Sequence, residues 1–351
     1  MELLMKVVFG EPDKMFRLIS EALAPSPEGR TFLKDFYLTE CRNPTGMLRT
    51  WSARRNVPPG IVVSHCSRPE DLKAMLADAD VLVIENGKVG SEELAHASSL
   101  KLIHTFGLVD NIDRDACRMQ GVAVKTLDRH SNRMVAEHVV MLILALARGL
   151  DESREGLSRP SSLQPSGWAY NWPACGSIRG LTGRTVGLVG LGQVGVLVAR
   201  YLQPFGATVL YTRRIRDHAA EDQLGIVYAT LDELISKSDI LSIHVPGNAQ
   251  TNRMIDAKLL SHAKPGLCIV NTARGSIVDE DALVAALKDG TIGGAALDVF
   301  MSEPLRKDHP LCDLKNVILT PHIAAGSRDE AWLDREIGPL VDSVVSVLNK
   351  S

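Results

Sequence analysis

The stretch GRTVGLVGLGQVGVLVARYLQPFGATVLYTRR, from Gly183 to Arg214, restricts what this chain can fold into more than any other. Thr185 to Val189 is β-branched and apolar, as in a parallel strand covered on both faces. Gly190, Gly192 and Gly195 follow in G-x-G-x-x-G spacing. The first glycine permits the tight turn out of the strand, and the second lets the backbone approach a pyrophosphate. The third lets the next helix lie close to the sheet. A helix from about Gln193 to Leu202 would aim its positive end at that pyrophosphate, with Gln193 and Val194 in its first turn. A second strand is expected over Thr208 to Thr212. Three glycines alone say little, but strand, helix and strand around them over roughly thirty residues make a strong signal.

At 351 residues the chain is too long for one ordinary core, so two domains are expected. A net charge of −3 offers no basic face for nucleic acid. The longest apolar run, Val139 to Ala147, is far short of a bilayer span. The opening MELLMKVVFGEPDK carries acid early and has too short an apolar run for a signal peptide. Six scattered cysteines contain no C-x-x-C pair, and Cys268 is read as a buried strand thiol. These features predict a soluble cytoplasmic protein with no metal site and no nucleic-acid or membrane partner.

Along the chain, a strand (Leu3 to Phe9) and a helix (Asp13 to Leu23) lead into residues 24–59, which keep no clean period. That segment is read as loop, with Arg54 and Arg55 as solvated charges. From Ile61 to Thr126 short strands alternate with short helices, which argues for an open parallel sheet with helices on both faces. Arg133 to Leu150 is a helix apolar almost all round after Glu137, and therefore a buried crossing between domains. His138 is read as ordering the start of that helix. Trp168, Tyr170 and Trp172 are read as anchors of an ordered arm. After the glycine loop, βα units continue to Thr320, and a helical tail (Arg328 to Asn349) could return to the first domain. The expected fold is α/β: two doubly wound parallel-sheet domains, flavodoxin-like and Rossmann, with a cleft between. Residues 1–133 and 328–351 would form the substrate (catalytic) domain, and 134–327 the dinucleotide-binding domain.

Three polar residues fall just after strands of the second half: Arg274, Glu303 and His322. In open α/β sheets ligands bind at the C-terminal ends of strands, so the three could meet in one crevice. An arginine can hold a carboxylate in two parallel hydrogen bonds and polarise a neighbouring carbonyl. A histidine can pass a proton near neutral pH, and a carboxylate beside it favours imidazolium and fixes its orientation. Each alone has an ordinary explanation as surface or turn. Together with a nicotinamide they equip a site for hydride transfer to a 2-oxo acid.

The second half resembles the D-isomer-specific 2-hydroxyacid dehydrogenase family. GLVGLGQVG (Gly187–Gly195), HVPGNAQTNRMI (His244–Ile255), VNTARGSIVDEDAL (Val270–Leu283), ALDVFMSEPL (Ala296–Leu305) and LTPHIAAGS (Leu319–Ser327) occur in the family's order and spacing. LKLIHTFGLVDNID (Leu100–Asp113) and VAEHVVMLILALAR (Val135–Arg148) extend it, so that it runs from about Asp78 to Ser327 and is faint before. The resemblance implies that Arg274 binds the substrate carboxylate and carbonyl, that His322 is the general acid/base, and that Glu303 is its partner. It further implies that Asp298 and the Thr272–Ala273 turn contact the nicotinamide end, and that Val245, Pro246 and Thr251 line the cofactor groove. A small 2-oxo acid such as glyoxylate, hydroxypyruvate or pyruvate would be reduced by a homodimer.

Two departures stand out. The family's NAD-type acid at the second strand's end would fall at about Thr212, followed here by Arg213 and Arg214. Arginine there would meet a 2′-phosphate, which predicts NADP over NAD, the alternative being a solvated run of charge. The family's Gly-x-Gly turn for the substrate carboxylate is shortened to Phe106-Gly107-Leu108-Val109, leaving Gly107 and Leu108 as the substrate-binding candidates. A rival reading is a nucleotide-sensing binding protein or corepressor on the same scaffold. An oxidase of formate is disfavoured, because that branch places an amide where Glu303 stands.

Overall fold

The computed structural model describes residues 5–37, 41–107, 109, 111–150, 179–326 and 328–348. The chain divides into two compact units, Met1–His130 with Ser327–Ser351, and Ser131–Gly326. Each is organised on its own parallel sheet.

In the first unit the strands are β1 (Lys6–Phe9), β2 (Val62–His65), β3 (Val81–Ile84), β4 (Leu102–Thr105) and β5 (Ala123–Thr126), in the order β2-β1-β3-β4-β5. All pairs are parallel. β3 and β4 are apolar-rich because both of their faces are covered, whereas the edge strands β2 and β5 stay partly open. One face packs Val8, Leu82, Ile84 and Ile103 against Leu72, Leu76, Leu94 and Cys117. The C-terminal helices Glu330–Glu336 and Gly338–Leu348 belong to this unit, and the latter packs against β4.

The segment expected to be loop instead contains helices Gly29–Tyr37 and Pro44–Arg54. Asn43 caps the second, accepting from Gly46 N–H, and Pro44 sets its first turn. Arg55 is no solvated charge: it lies over the Trp51 ring and pairs with Asp334 and Asp342 on the C-terminal helices. The Trp168, Tyr170 and Trp172 anchors lie outside the described residues.

In the second unit the strands are β6 (Thr185–Val189), β7 (Thr208–Thr212), β8 (Val227–Tyr228), β9 (Ile240–Ile243), β10 (Cys268–Asn271), β11 (Gly294–Leu297) and β12 (Val317–Leu319). Their order is β12-β11-β10-β9-β6-β7-β8, all parallel. The period of two along each strand feeds two cores. Leu241, Ile243, Ile269 and Ala295 face one layer, while Ile240, Val270 and Ala296 face the other. Helix Ser131–Ala147 belongs to this second layer, packing against helix Gln193–Leu202. It is not enclosed all round within the chain, since Met141 stays half exposed.

Strand order reverses between β6 and β9, and the glycine loop leaves β6 at that switch point. Two of its glycines are demanded by the fold. Gly190 has φ +102°, and a Cβ there would lie 2.7 Å from the His244 carbonyl oxygen. A Cβ on Gly195 would lie 2.6 Å from the Gly190 carbonyl oxygen, so any side chain would push helix and loop apart.

Candidate functional site

Arg274, Glu303 and His322 leave the C-terminal ends of β10, β11 and β12, three neighbouring strands of one sheet. Asn271, the last residue of β10, ties down the Arg274 turn from both sides. Its side-chain amide donates to the Arg274 carbonyl at 3.0 Å, and its oxygen accepts from Ala273 N–H at 3.0 Å. A Cβ on Gly275 would sit 1.9 Å from the Phe300 carbonyl carbon, so the arginine turn lies backbone to backbone with the loop that carries Glu303. The Arg274 side chain is exposed, and its stem packs at Gly247.

Glu303 and His322 are paired. His322 Nδ1 lies 2.7 Å from Glu303 Oε2, while Glu303 Oε1 accepts from Phe300 N–H at 3.1 Å. Burial pulls the Glu303 carboxyl group upward. The His322 hydrogen bond, the Phe300 N–H and the Arg274 charge outweigh that pull and hold it below the usual carboxylate range. His322 itself has φ +54°, a left-handed conformation that a non-glycine residue keeps only where its surroundings impose it.

Those surroundings were not foreseen. Asp298, wholly buried, accepts from Thr320 Oγ1 (2.5 Å) and Ile323 N–H (3.0 Å) through Oδ1, and from Ala324 N–H (3.0 Å) through Oδ2. It thus grips the chain on both sides of His322. Both carboxyl oxygens of Asp298, for which the resemblance implies a contact at the nicotinamide end, are thus hydrogen-bonded within the chain. His138 does not order the start of its helix, which begins seven residues earlier at Ser131. Its Nε2 lies 3.2 Å from Thr320 Oγ1 and 3.6 Å from Asp298 Oδ1. The reading missed this because 182 residues separate His138 from Thr320.

Around the glycine loop, Gly192 is exposed, and nothing lies within 4 Å of where its Cβ would sit. Helix Gln193–Leu202 starts there with Gly192 as its cap residue, and Gln193 Oε1 accepts from the Asn132 amide. Val194 is half-buried. Val245 Cγ1 comes within 2.9 Å of a Cβ built on Gly190, so that residue borders the loop. Thr251 donates to the Pro246 carbonyl at 2.6 Å and closes the turn after Val245. The Thr272–Ala273 turn is half-buried. At the end of β7, Arg213 pairs with Asp217 at 2.8 Å, and Arg214 is exposed. Asp217 also caps helix His218–Leu224, which the sequence reading did not find.

In the first unit, Gly107 follows β4 with φ +128° and open space where a Cβ would sit; Leu108 lies outside the described residues. Arg129 stacks on Phe106 at 4.5 Å and pairs with the buried Glu336 at 2.9 Å, fixing the strand end next to Gly107. A cavity of about 580 Å³ in the second unit opens at the other, N-terminal ends of the strands, walled by Leu146, Ile240, Cys268 and Val317. None of the proposed site residues borders it. Among the described residues, no helix is long and apolar enough to cross a membrane.

A glycine loop at the switch point of an open parallel sheet defines the second unit as a dinucleotide-binding α/β fold. Residues 140–324 match the D-isomer specific 2-hydroxyacid dehydrogenase, NAD binding domain. The chain is 37% identical over 264 residues to D-3-phosphoglycerate dehydrogenase of Mycobacterium bovis, covering 74% of this chain and 48% of that one. It thus spans about half the length of the mycobacterial relatives it matches. It is 38% identical over 262 residues to glyoxylate reductase of Thermofilum pendens, covering 74% of this chain and 76% of that one. The solved structure of D-lactate dehydrogenase from Aquifex aeolicus, complexed with NAD and lactic acid, superposes with a TM-score of 0.57 at 27% identity. That match covers 98% of this chain and 96% of the other. The chain belongs to the D-isomer-specific 2-hydroxyacid dehydrogenase family.

Proposed function

We propose that the protein reduces a small 2-oxo acid to the D-2-hydroxy acid, with His322 as general acid/base. The observation that carries this reading is the 2.7 Å His322–Glu303 pair, set at the strand ends of the sheet that bears the glycine loop. A dinucleotide fits that loop: Gly192 is in open space with an unstrained backbone, so no protein atom explains the missing side chain, whereas a close-lying pyrophosphate does. Gly190, Gly192, Gln193, Val194 and Gly195 would hold the pyrophosphate, Val245, Pro246 and Thr251 the groove, and Thr272 and Ala273 the nicotinamide end. When bound, the reduced nicotinamide supplies the hydride.

The chain's own residues do the rest. Arg274 holds the substrate carboxylate in paired hydrogen bonds and polarises the adjacent carbonyl. Gly107, with Leu108, supplies backbone for the substrate in the first unit. His322 gives a proton from Nε2 to the oxygen that gains charge, because its Nδ1 is occupied by Glu303. Glu303 stays ionised and keeps the ring oriented. The reading includes a cytoplasmic homodimer, for which sedimentation of the purified chain is the test of assembly.

Mixing the protein with NADPH or NADH and glyoxylate, hydroxypyruvate, pyruvate or a longer 2-oxo acid tests the reading. Loss of the nicotinamide absorbance is expected, and its absence across the panel, with nucleotide bound, would favour a nucleotide sensor instead. NADPH is expected to give the higher kcat/KM, through Arg214 and Arg213 meeting a 2′-phosphate. An NADH preference of tenfold or more would overturn that assignment.

A further inference from the structure

The buried polar layer behind His322 has a direction that can be worked out. A threonine hydroxyl has one hydrogen, and Thr320 Oγ1 gives it to Asp298 Oδ1 at 2.5 Å. Toward His138, 3.2 Å away, the same oxygen can only accept, so His138 Nε2 must carry a proton. Asp298 passes the constraint on, since its two oxygens also accept from Ile323 and Ala324 N–H, on the far side of His322. The enclosed residue between these clamps is the one with φ +54°. A strained conformer of this kind persists only when its neighbours hold it.

We infer that His138 is a positioning residue: the N–H it gives Thr320 fixes the clamp across the His322 loop, and so sets how that imidazole is presented. The inference rests on the function proposed above. Burial lowers the His138 imidazole against the upward pull of Asp298, in keeping with a neutral ring that has one N–H to give. The side chain is only 12% exposed, so water does not readily replace that donor. His138 is on a helix of the second core layer, and its ring touches neither Glu303 nor His322 through any hydrogen bond, so it acts through Thr320 and Asp298.

The test compares the full chain with His138→Leu, His138→Gln, Thr320→Val and the double variant His138→Leu/Thr320→Val. Glyoxylate and NADPH serve as probes, alongside NADPH binding, thermal unfolding and amide exchange in the free protein. His138→Leu and Thr320→Val should each lower kcat about tenfold, with KM and the NADPH Kd within about twofold. Exchange at Ile323 and Ala324 should quicken about tenfold, which reads the loop without any turnover. The double variant should be no worse than either single one, since both break one chain of contacts. His138→Gln, whose amide N–H reaches the same oxygen, should recover most of the loss. Thr320→Val, nearly isosteric, carries the test if the leucine variant loses its thermal transition. Wild-type kcat and exchange in Thr320→Val, or a glutamine variant as impaired as the leucine one, would overturn the inference. His322→Ala separates the two levels. If it keeps full turnover, the functional reading fails. If it loses turnover while both positioning variants keep theirs, only the clamp fails.

Discussion

The proton transfer proposed for His322 depends on a ring with one nitrogen held by Glu303 and the other left for substrate. His322→Ala should lower turnover by roughly 10²–10⁴, the usual range for a lost general acid, with NADPH binding nearly intact. Glu303→Gln keeps the shape of the partner and removes its charge. The carboxyl group is held below its ordinary range, so it is ionised at neutral pH and can only accept from His322 Nδ1. An amide can turn either its oxygen or its NH₂ toward Nδ1, so the ring is no longer held with Nε2 free to donate, and kcat should fall about tenfold with NADPH affinity unchanged. An unchanged kcat counts against the pair.

At the scale of elements, the glycine loop allows fold and ligand to be separated. Gly195→Ala puts a methyl 2.6 Å from a backbone oxygen that cannot swing aside, so it should lower the melting temperature and abolish dinucleotide binding together. Gly192→Ala meets no protein atom and has ordinary φ, so stability should hold while NADPH affinity drops at least tenfold. Unchanged affinity in Gly192→Ala would mean that no pyrophosphate lies against that backbone. This loop and its strands were legible because strand, turn and helix are local, and because buried parallel strands are apolar on both faces. The strand-end rule likewise located Arg274, Glu303 and His322. The helices Gly29–Tyr37 and Pro44–Arg54 were missed because their buried stripes are short and partly made of residues that do not read as core: Gly29, Leu33 and Tyr37 on one, Pro44, Leu48, Trp51 and Ser52 on the other. Asn43–Pro44, a cap residue followed by proline, was the available signal. Arg55 could not be placed from sequence, since its partners Asp334 and Asp342 lie far along the chain. The His138–Thr320–Asp298 layer was hidden for the same reason.

For the molecule as a whole, each unit encloses a histidine held neutral. In the first it is His104, 2% exposed in β4, which burial pushes down to about 4. The unfolded chain takes up a proton near pH 6.5 and the folded unit does not. The stability this group contributes is therefore complete above about 6.5 and lost as pH falls toward 4, by roughly 3 kcal/mol. In the second unit, His244 is pushed down to about 4 by its surroundings and acts in the same sense. Urea transitions of the whole chain at about pH 7 and about pH 4.5 should show the fall, and His104→Gln should flatten it for the first unit. Equal midpoints at the two pH values would sink the account.

The first unit is built from both ends of the chain: Trp332, Leu333, Val341 and Val344 are buried, and Arg129 pairs with Glu336. The second is one uninterrupted run, Ser131–Gly326. On a ribosome, where the N-terminal part emerges first, the unit begun first is therefore the one finished last. Its five strands wait, with the surface meant for the last two helices uncovered, while some two hundred residues of the inserted unit are made and can close on themselves.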